Sequence, residues 1–378
     1  MRKRLILLVV AAALATGLSV PAANAQRHLL VGIQDDAQTV YGNPANAFGL
    51  LRQLRVQLVR INLEWGGKFG VARKARPVHP LDPSDPAYNW DLYDRAVRYA
   101  AQNGMQVLFT ILFTPRWANG GKAQNVAPRN FNDLRNFAYA AAERYSGHYI
   151  PVDDTGPETA LPAVKYWLAW NEPNNPIWLQ QSVGGRFVSP RNYAKICTAI
   201  WTGVHTTNFA AEKVGCGATG PRGSNNARSS RPSMSPLAFM AAARRAGMRQ
   251  LDAYAHHPYY GKPSETPGTR PGARTAVTLG NIGQLIALSN RLFGRKPIWI
   301  TEYGYQTPPD RRFGVSYAKQ ARYLSQAYAI ARRNPQIAMM VWFMLKDDTN
   351  IGAGWQSGLL TARGKKKPAF RIFARLPH

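Results

Sequence analysis

The segment Tyr166-Trp167-Leu168-Ala169-Trp170-Asn171-Glu172-Pro173-Asn174 decides how the chain is read. An apolar, β-favouring run passes directly into Asn, Glu and Pro, so a buried-looking strand ends on a carboxyl group and a turn. Similar short runs recur at Leu29–Ile33, Val56–Ile61, Gln106–Thr110, Val214–Ala218, Leu251–Ala255, Pro297–Thr301 and Ala338–Phe343. Amphipathic helical patterns lie between them. Asn89–Asn103 carries Leu92, Ala96, Val97, Ala100 and Ala101 on one stripe, with Gly104 in the stop position. Pro44–Leu54, Phe131–Tyr145, Pro190–Thr206, Leu237–Ala246, Ile282–Leu292, Tyr317–Arg332 and Pro368–Ala374 follow the same pattern. Strand–helix alternation implies parallel strands joined by helical crossovers. Eight repeats predict an α/β fold, a single closed (β/α)8 TIM barrel; an open doubly wound sheet satisfies the same alternation.

The composition fits one such barrel with insertions. The chain has 378 residues, is 45% hydrophobic and carries 48 Lys+Arg against 20 Asp+Glu, a formal net charge of +28. The apolar fraction excludes disorder for most of the chain. The charge favours anionic partners without choosing among nucleic acid, acidic polymer and cell envelope, and 34 Arg to 14 Lys is also what a coding bias produces. Met1–Ala25 reads as a signal peptide: Arg2-Lys3-Arg4, an uncharged apolar run Leu5–Val20, then a small-residue site ending at Ala25. Cleavage would leave Gln26–His378 as one catalytic domain of charge +25, extracellular or envelope-associated, with no later segment apolar enough to span a bilayer.

Several patterns carry less than they suggest. Gly215-Cys216-Gly217-Ala218-Thr219-Gly220 matches a dinucleotide fingerprint but runs into Pro221-Arg222-Gly223 rather than a helix, and the next acid is Asp252. Its glycines are read as allowing close approach of a strand end to a neighbour or ligand. His256 and His257 are adjacent and point to opposite faces of a strand, so they do not chelate together, and no metal site is expected. Lys365-Lys366-Lys367 reads as a solvated turn. Cys197 and Cys216 fall on a predicted helix and the following strand; their Cα geometry decides whether they pair.

Two of the chain's seven Glu stand at apolar strand ends, Glu172 after the fourth run and Glu302 after the seventh. Holding a carboxyl group there costs desolvation, an environment that acid–base chemistry uses. Strands four and seven lie across an eight-stranded barrel from one another, so both groups can face one cleft. Glycosidic cleavage requires such a pair.

These residues carry a resemblance. Trp170-Asn171-Glu172-Pro173-Asn174 and Ile300-Thr301-Glu302-Tyr303-Gly304 resemble the strand ends of glycoside hydrolase clan A, the retaining barrel glycosidases, most closely families 5 and 39. Leu58-Val59-Arg60-Ile61-Asn62, Thr114-Pro115-Arg116-Trp117-Ala118, His257-Pro258-Tyr259 and Trp342 match further elements in the right order. The resemblance implies Glu172 as general acid/base with a raised pKa, and Glu302 as nucleophile. It also implies Asn171 on the sugar 2-hydroxyl, Arg60 and Tyr259 orienting Glu302, and His257 nearby. Arg60 also fits a buried structural ion pair.

Trp342, Trp65, Trp117 and Trp178 fall near strand C-termini and are candidates for stacking on sugar rings, Trp342 first among them. Asp35, Asp36, Glu64, Asp347 and Asp348 fall near the same face. The expected activity is retaining hydrolysis of β-linked glycosides or polysaccharides, without a cofactor. The substrate is a carbohydrate, including acidic polysaccharides, and nucleic acid is not an expected partner. A non-catalytic carbohydrate-binding barrel on the envelope is the alternative. Loops Gly220–Ser235 and Gly261–Ala276 are expected to set specificity.

Overall fold

The computed structural model describes residues 29–151, 159–207, 209, 211–351 and 354–377. The expected signal peptide Met1–Ala25 lies outside the described residues. Eight parallel strands form a closed barrel in sequence order. They are β1 (Leu30–Gln34), β2 (Leu58–Glu64), β3 (Gln106–Leu112), β4 (Tyr166–Ala169), β5 (Lys213–Thr219), β6 (Ala253–His256), β7 (Ile298–Tyr303) and β8 (Ile337–Phe343). A principal helix follows each: α1 (Pro44–Gln53), α2 (Asp91–Gln102), α3 (Phe131–Arg144), α4 (Ser189–His205), α5 (Pro236–Arg245), α6 (Gly283–Phe293), α7 (Tyr317–Arg333) and α8 (Pro368–Ala374). Closure therefore selects the barrel over the open sheet.

Local chemistry sets the helix starts. Asn43 accepts from the Asn46 amide ahead of Pro44, and Ser316 accepts from the Lys319 amide at the head of α7. Each satisfies a donor that the first turn leaves free. Strand alternation builds two cores. Leu58, Leu108, Leu168, Ala253, Ala255, Trp299, Met339 and Val341 fill the barrel, and the residues between them pack outward under the helices. Gly215 is where Trp299 enters the interior; a Cβ there would stand 2.6 Å from its ring. That close approach accounts for the first glycine of the fingerprint-like run.

Cys197 on α4 and Cys216 on β5 form a disulfide with a Cα separation of 6.0 Å. Lys365–Lys367 is not a uniformly solvated turn. The Lys367 ammonium is buried and donates to Asp347 at 2.7 Å and to Thr307 at 2.8 Å, joining the start of α8 to the loop after β8.

Candidate active site

Along β2 the inward side chains are Leu58, Arg60 and Asn62, rising from the barrel interior to its C-terminal mouth. Arg60 is fully buried one layer beneath that mouth, and its whole guanidinium is engaged. Nε donates to Thr110 at 2.9 Å, Nη1 to the Thr301 carbonyl at 2.9 Å and Glu302 at 2.7 Å, and Nη2 to Asn171 at 2.7 Å. One cation thus fixes groups from β3, the end of β4 and β7. The Tyr259 hydroxyl donates to the second Glu302 oxygen at 3.1 Å.

Glu302 lies inside β7 rather than beyond it, and simple alternation would turn it outward. Between Met340–Ile300 and Trp342–Tyr303 the pairing slips, with three residues of β7 spanning two of β8. This bulge turns Glu302 into the cleft and Tyr303 into the outer core. At the end of β4 the redirection is in the backbone dihedrals. Trp170 has φ +66° and Glu172 φ +33°, values that L-residues adopt only when surrounding contacts enforce them. The Trp170 indole donates to the Trp178 carbonyl at 2.7 Å, and the Glu172 amide to the Ala218 carbonyl at 2.9 Å. Gly220 lies against the Glu172 carboxyl, where a Cβ would be only 3.0 Å away.

His257 bridges the two acids. Its Nδ1 is 3.2 Å from Glu172 and 3.6 Å from Glu302, and its Nε2 is 2.9 Å from the Thr301 hydroxyl. One oxygen from each carboxylate and one His257 nitrogen lie within 4.8 Å of one another, a spacing that would also suit a cation. His256 faces away, between Thr219 and the Val277 carbonyl, and burial lowers its pKa to about 3. The two imidazoles do diverge.

The expected raised pKa of Glu172 is not found. Burial pushes this carboxyl up. The hydrogen bond and charge of His257 outweigh that, together with the Asn175 amide donating at 2.9 Å and the Arg60 charge, and hold it below the ordinary value. Raised carboxyls do stand near this face, at the end of β1. Burial lifts Asp35 and Asp36 to about 7 despite backbone amides donated by Lys346 and Asn62 respectively.

The cleft over the carboxylates has a volume of about 380 Å³. Asn171, Asn175, Tyr259, Tyr260 and Asn62 supply polar groups, and Trp178, Phe343 and Trp355 supply aromatic walls. Among the expected tryptophans, only Trp178 lines it. Trp342 is fully buried on the outward side of β8, its indole donating to the Ser357 carbonyl at 3.0 Å. Alternation turns Phe343 to the cleft instead. Trp117 is also absent from the cleft lining: it packs edge-on to buried Trp65 at 5.6 Å and donates to the Ala72 carbonyl. Trp355 also lines the cleft; it is 40% exposed and 5.5 Å from both Tyr259 and Phe343. Trp355 lies in the loop after β8, beyond any strand pattern that could have singled it out.

Asn174, quoted in the motif but given no role, is fully buried and clasps the loop after β5. Its Nδ2 donates to the carbonyls of Gly220, Met234 and Arg222 at 3.1, 2.9 and 3.3 Å, and its Oδ1 accepts from the Gly220 amide at 2.8 Å.

The family model described as "Glycosyl hydrolase catalytic core" matches residues 152–373, more than half of the chain. Among solved structures, a family 39 glycoside hydrolase from the gut symbiont Bacteroides cellulosilyticus WH2 superposes with a TM-score of 0.61 at 19% identity. That alignment covers 92% of this chain and 63% of the other, so the chain spans less than two thirds of that protein. A glucosidase from Croceicoccus marinus gives 0.65 at 15% identity, covering 92% and 67%. Fungal β-1,4-galactanases give 0.59 at 13% identity, covering 92% and 99%. These identities show a shared fold. No curated protein sequence matches the chain.

Proposed function

We propose that this chain, which belongs to the glycosyl hydrolase catalytic-core family, is an exported glycosidase that cleaves β-linked sugars with retention of configuration. The observation that carries this reading is the pair of carboxylates at the ends of β4 and β7. Their oxygens approach within 4.8 Å across one cleft. Retaining enzymes hold their carboxyl groups about 5–5.5 Å apart, and inverting ones leave room for water at roughly 6.5–9.5 Å.

Glu302 is the nucleophile. Arg60 and Tyr259 hold its two oxygens, so the carboxyl group is aimed into the cleft. Attack on the anomeric carbon forms a glycosyl ester as the glycosidic C–O bond breaks. Glu172 delivers the proton to the departing oxygen. His257, whose Nδ1 lies 3.2 Å from Glu172, is the neighbour that most lowers the Glu172 pKa, so proton delivery by Glu172 depends on this contact. Glu172 then takes a proton from water, which opens the ester and restores Glu302. Asn171, held by Arg60, is placed for the sugar 2-hydroxyl, and Trp178, Trp355 and Phe343 receive the apolar faces of sugar rings.

Export rests on the Met1–Ala25 signal peptide, and the Cys197–Cys216 pair suits an oxidising compartment. The positive charge remaining after cleavage would hold the enzyme at an anionic envelope, an attachment that salt would release. Proton NMR of the first sugar released from an aryl β-glycoside tests the mechanism. The initial product is the β-anomer, and on a substrate with a sugar leaving group both Glu172→Gln and Glu302→Gln lose activity while folded. An α-anomer, or full activity in either variant, refutes it.

A further inference from the structure

A second cavity of about 450 Å³ adjoins the cleft, walled by the loop after β5 and the loop after β6. Arg222 and Asn175 line both spaces, so the two adjoin at these residues. Deeper in the second cavity stand Arg231, Ser224, Ser233 and Thr275, and no acidic side chain is among its lining residues. Arg222 and Arg231 are exposed, and among the described residues neither guanidinium is in an ion pair. The Arg222 guanidinium makes one long hydrogen bond, at 3.4 Å to the Tyr259 carbonyl. Glu265 is close by, but one of its carboxylate oxygens accepts the Gly261 amide at 2.6 Å. Gly261 itself makes room for the cation, since a Cβ there would stand 2.5 Å from Nη2 of Arg222.

The backbone under Arg222 is built rather than loose. Asn174 clasps it at Gly220, Arg222 and Met234, and Asn225 exchanges hydrogen bonds with Ser235 at 2.8 and 3.1 Å. A guanidinium on a fixed backbone, aimed into a sugar cleft with donors unspent, matches the planar, bidentate geometry of a carboxylate.

We propose that Arg222, with Arg231 behind it, forms a subsite for an anionic sugar unit, a uronic acid carboxylate, so that the substrate is an acidic glycan. This rests on the glycosidase reading above. The cavity opens beside Asn175, whose amide donates to Glu172, the group that protonates the leaving oxygen. The acidic unit therefore belongs to the leaving-group side of the cleaved bond.

The test pairs oligosaccharides that differ only in the charged group. A β-1,4-oligoglucuronate is set against the cello-oligosaccharide of equal length, and glucuronic-acid-bearing xylo-oligosaccharides against their carboxyl-reduced forms. Binding is measured by calorimetry in the Glu302→Gln background and turnover in the wild type. We expect at least one acidic member to bind roughly ten-fold or more tighter than its neutral partner, the scale of a charge-assisted hydrogen bond. Adding Arg222→Gln removes that preference, and Arg222→Lys keeps part of it. Equal affinity within every pair, no binding of any acidic member, or a preference that survives the Arg222→Gln/Arg231→Gln double variant overturns the subsite. Hydrolysis of neutral members without acidic preference removes the subsite and leaves the glycosidase standing. Arg222-dependent binding of acidic members with no hydrolysis of any member does the reverse.

Discussion

Replacing Asn174 with alanine tests whether the loop after β5 is held from beneath. The Asn174 side chain is fully buried and makes four contacts, three of them to the two ends of the loop at Gly220 and Met234. Alanine removes all four and leaves buried carbonyls and an amide without this partner. At about 1 kcal/mol for each of the three shorter bonds, the loss is about 3 kcal/mol. An unfolding entropy of about 2.1 cal/mol/K per residue over about 350 residues gives about 0.7 kcal/mol/K, so Tm should fall by about 4 °C. Asn174→Asp should be no better, because a carboxylate cannot donate to three carbonyls. Calorimetry reads the global term and limited trypsin digestion the local one. The loop carries Arg222, Arg228 and Arg231, and the variant should be cut there at concentrations that spare the wild type. An unchanged Tm together with an unchanged digestion pattern would refute the clasp.

Other expectations follow from the same contacts. Glu172→Gln should cost about 10²–10⁴-fold on substrates with poor leaving groups and much less on dinitrophenyl glycosides, because only the former need the acid; an equal loss on both counts against its role. Asp36 binds its proton more tightly in the folded state, with a pKa near 7 against the usual 3.8, so its stabilising effect is complete below pH 3.8 and fades as pH rises to about 7. The stability of Asp36→Asn relative to wild type should therefore improve from pH 4 to 7 in urea titrations, and a constant difference would contradict this. Reducing Cys197–Cys216, which lie 19 residues apart, should cost about 3 kcal/mol and lower Tm by about 4 °C. With Trp355 as the proposed platform for a sugar face, Trp355→Ala should raise KM more than it lowers kcat; an unchanged KM would remove it from that role.

Sequence alone pointed to the barrel and to the two strand-end glutamates at its mouth. Strand and helix periods are local, so eight apolar runs and the helices between them were legible to within about two residues. Topology then places the ends of strands four and seven at one mouth. What tertiary structure decided is whatever depends on a departure from the period or on neighbours distant in the chain. The bulge in β7 turns Glu302 inward, and alternation from Met339 onward in β8 turns Trp342 outward and Phe343 to the cleft. Trp355 reaches the cleft from a loop that has no period to read. The proton affinity of Glu172 is opposite to the expectation from burial because a histidine 85 residues away touches it. A strand pattern records which residues are apolar; which cation or ring a side chain meets is settled only when the barrel closes.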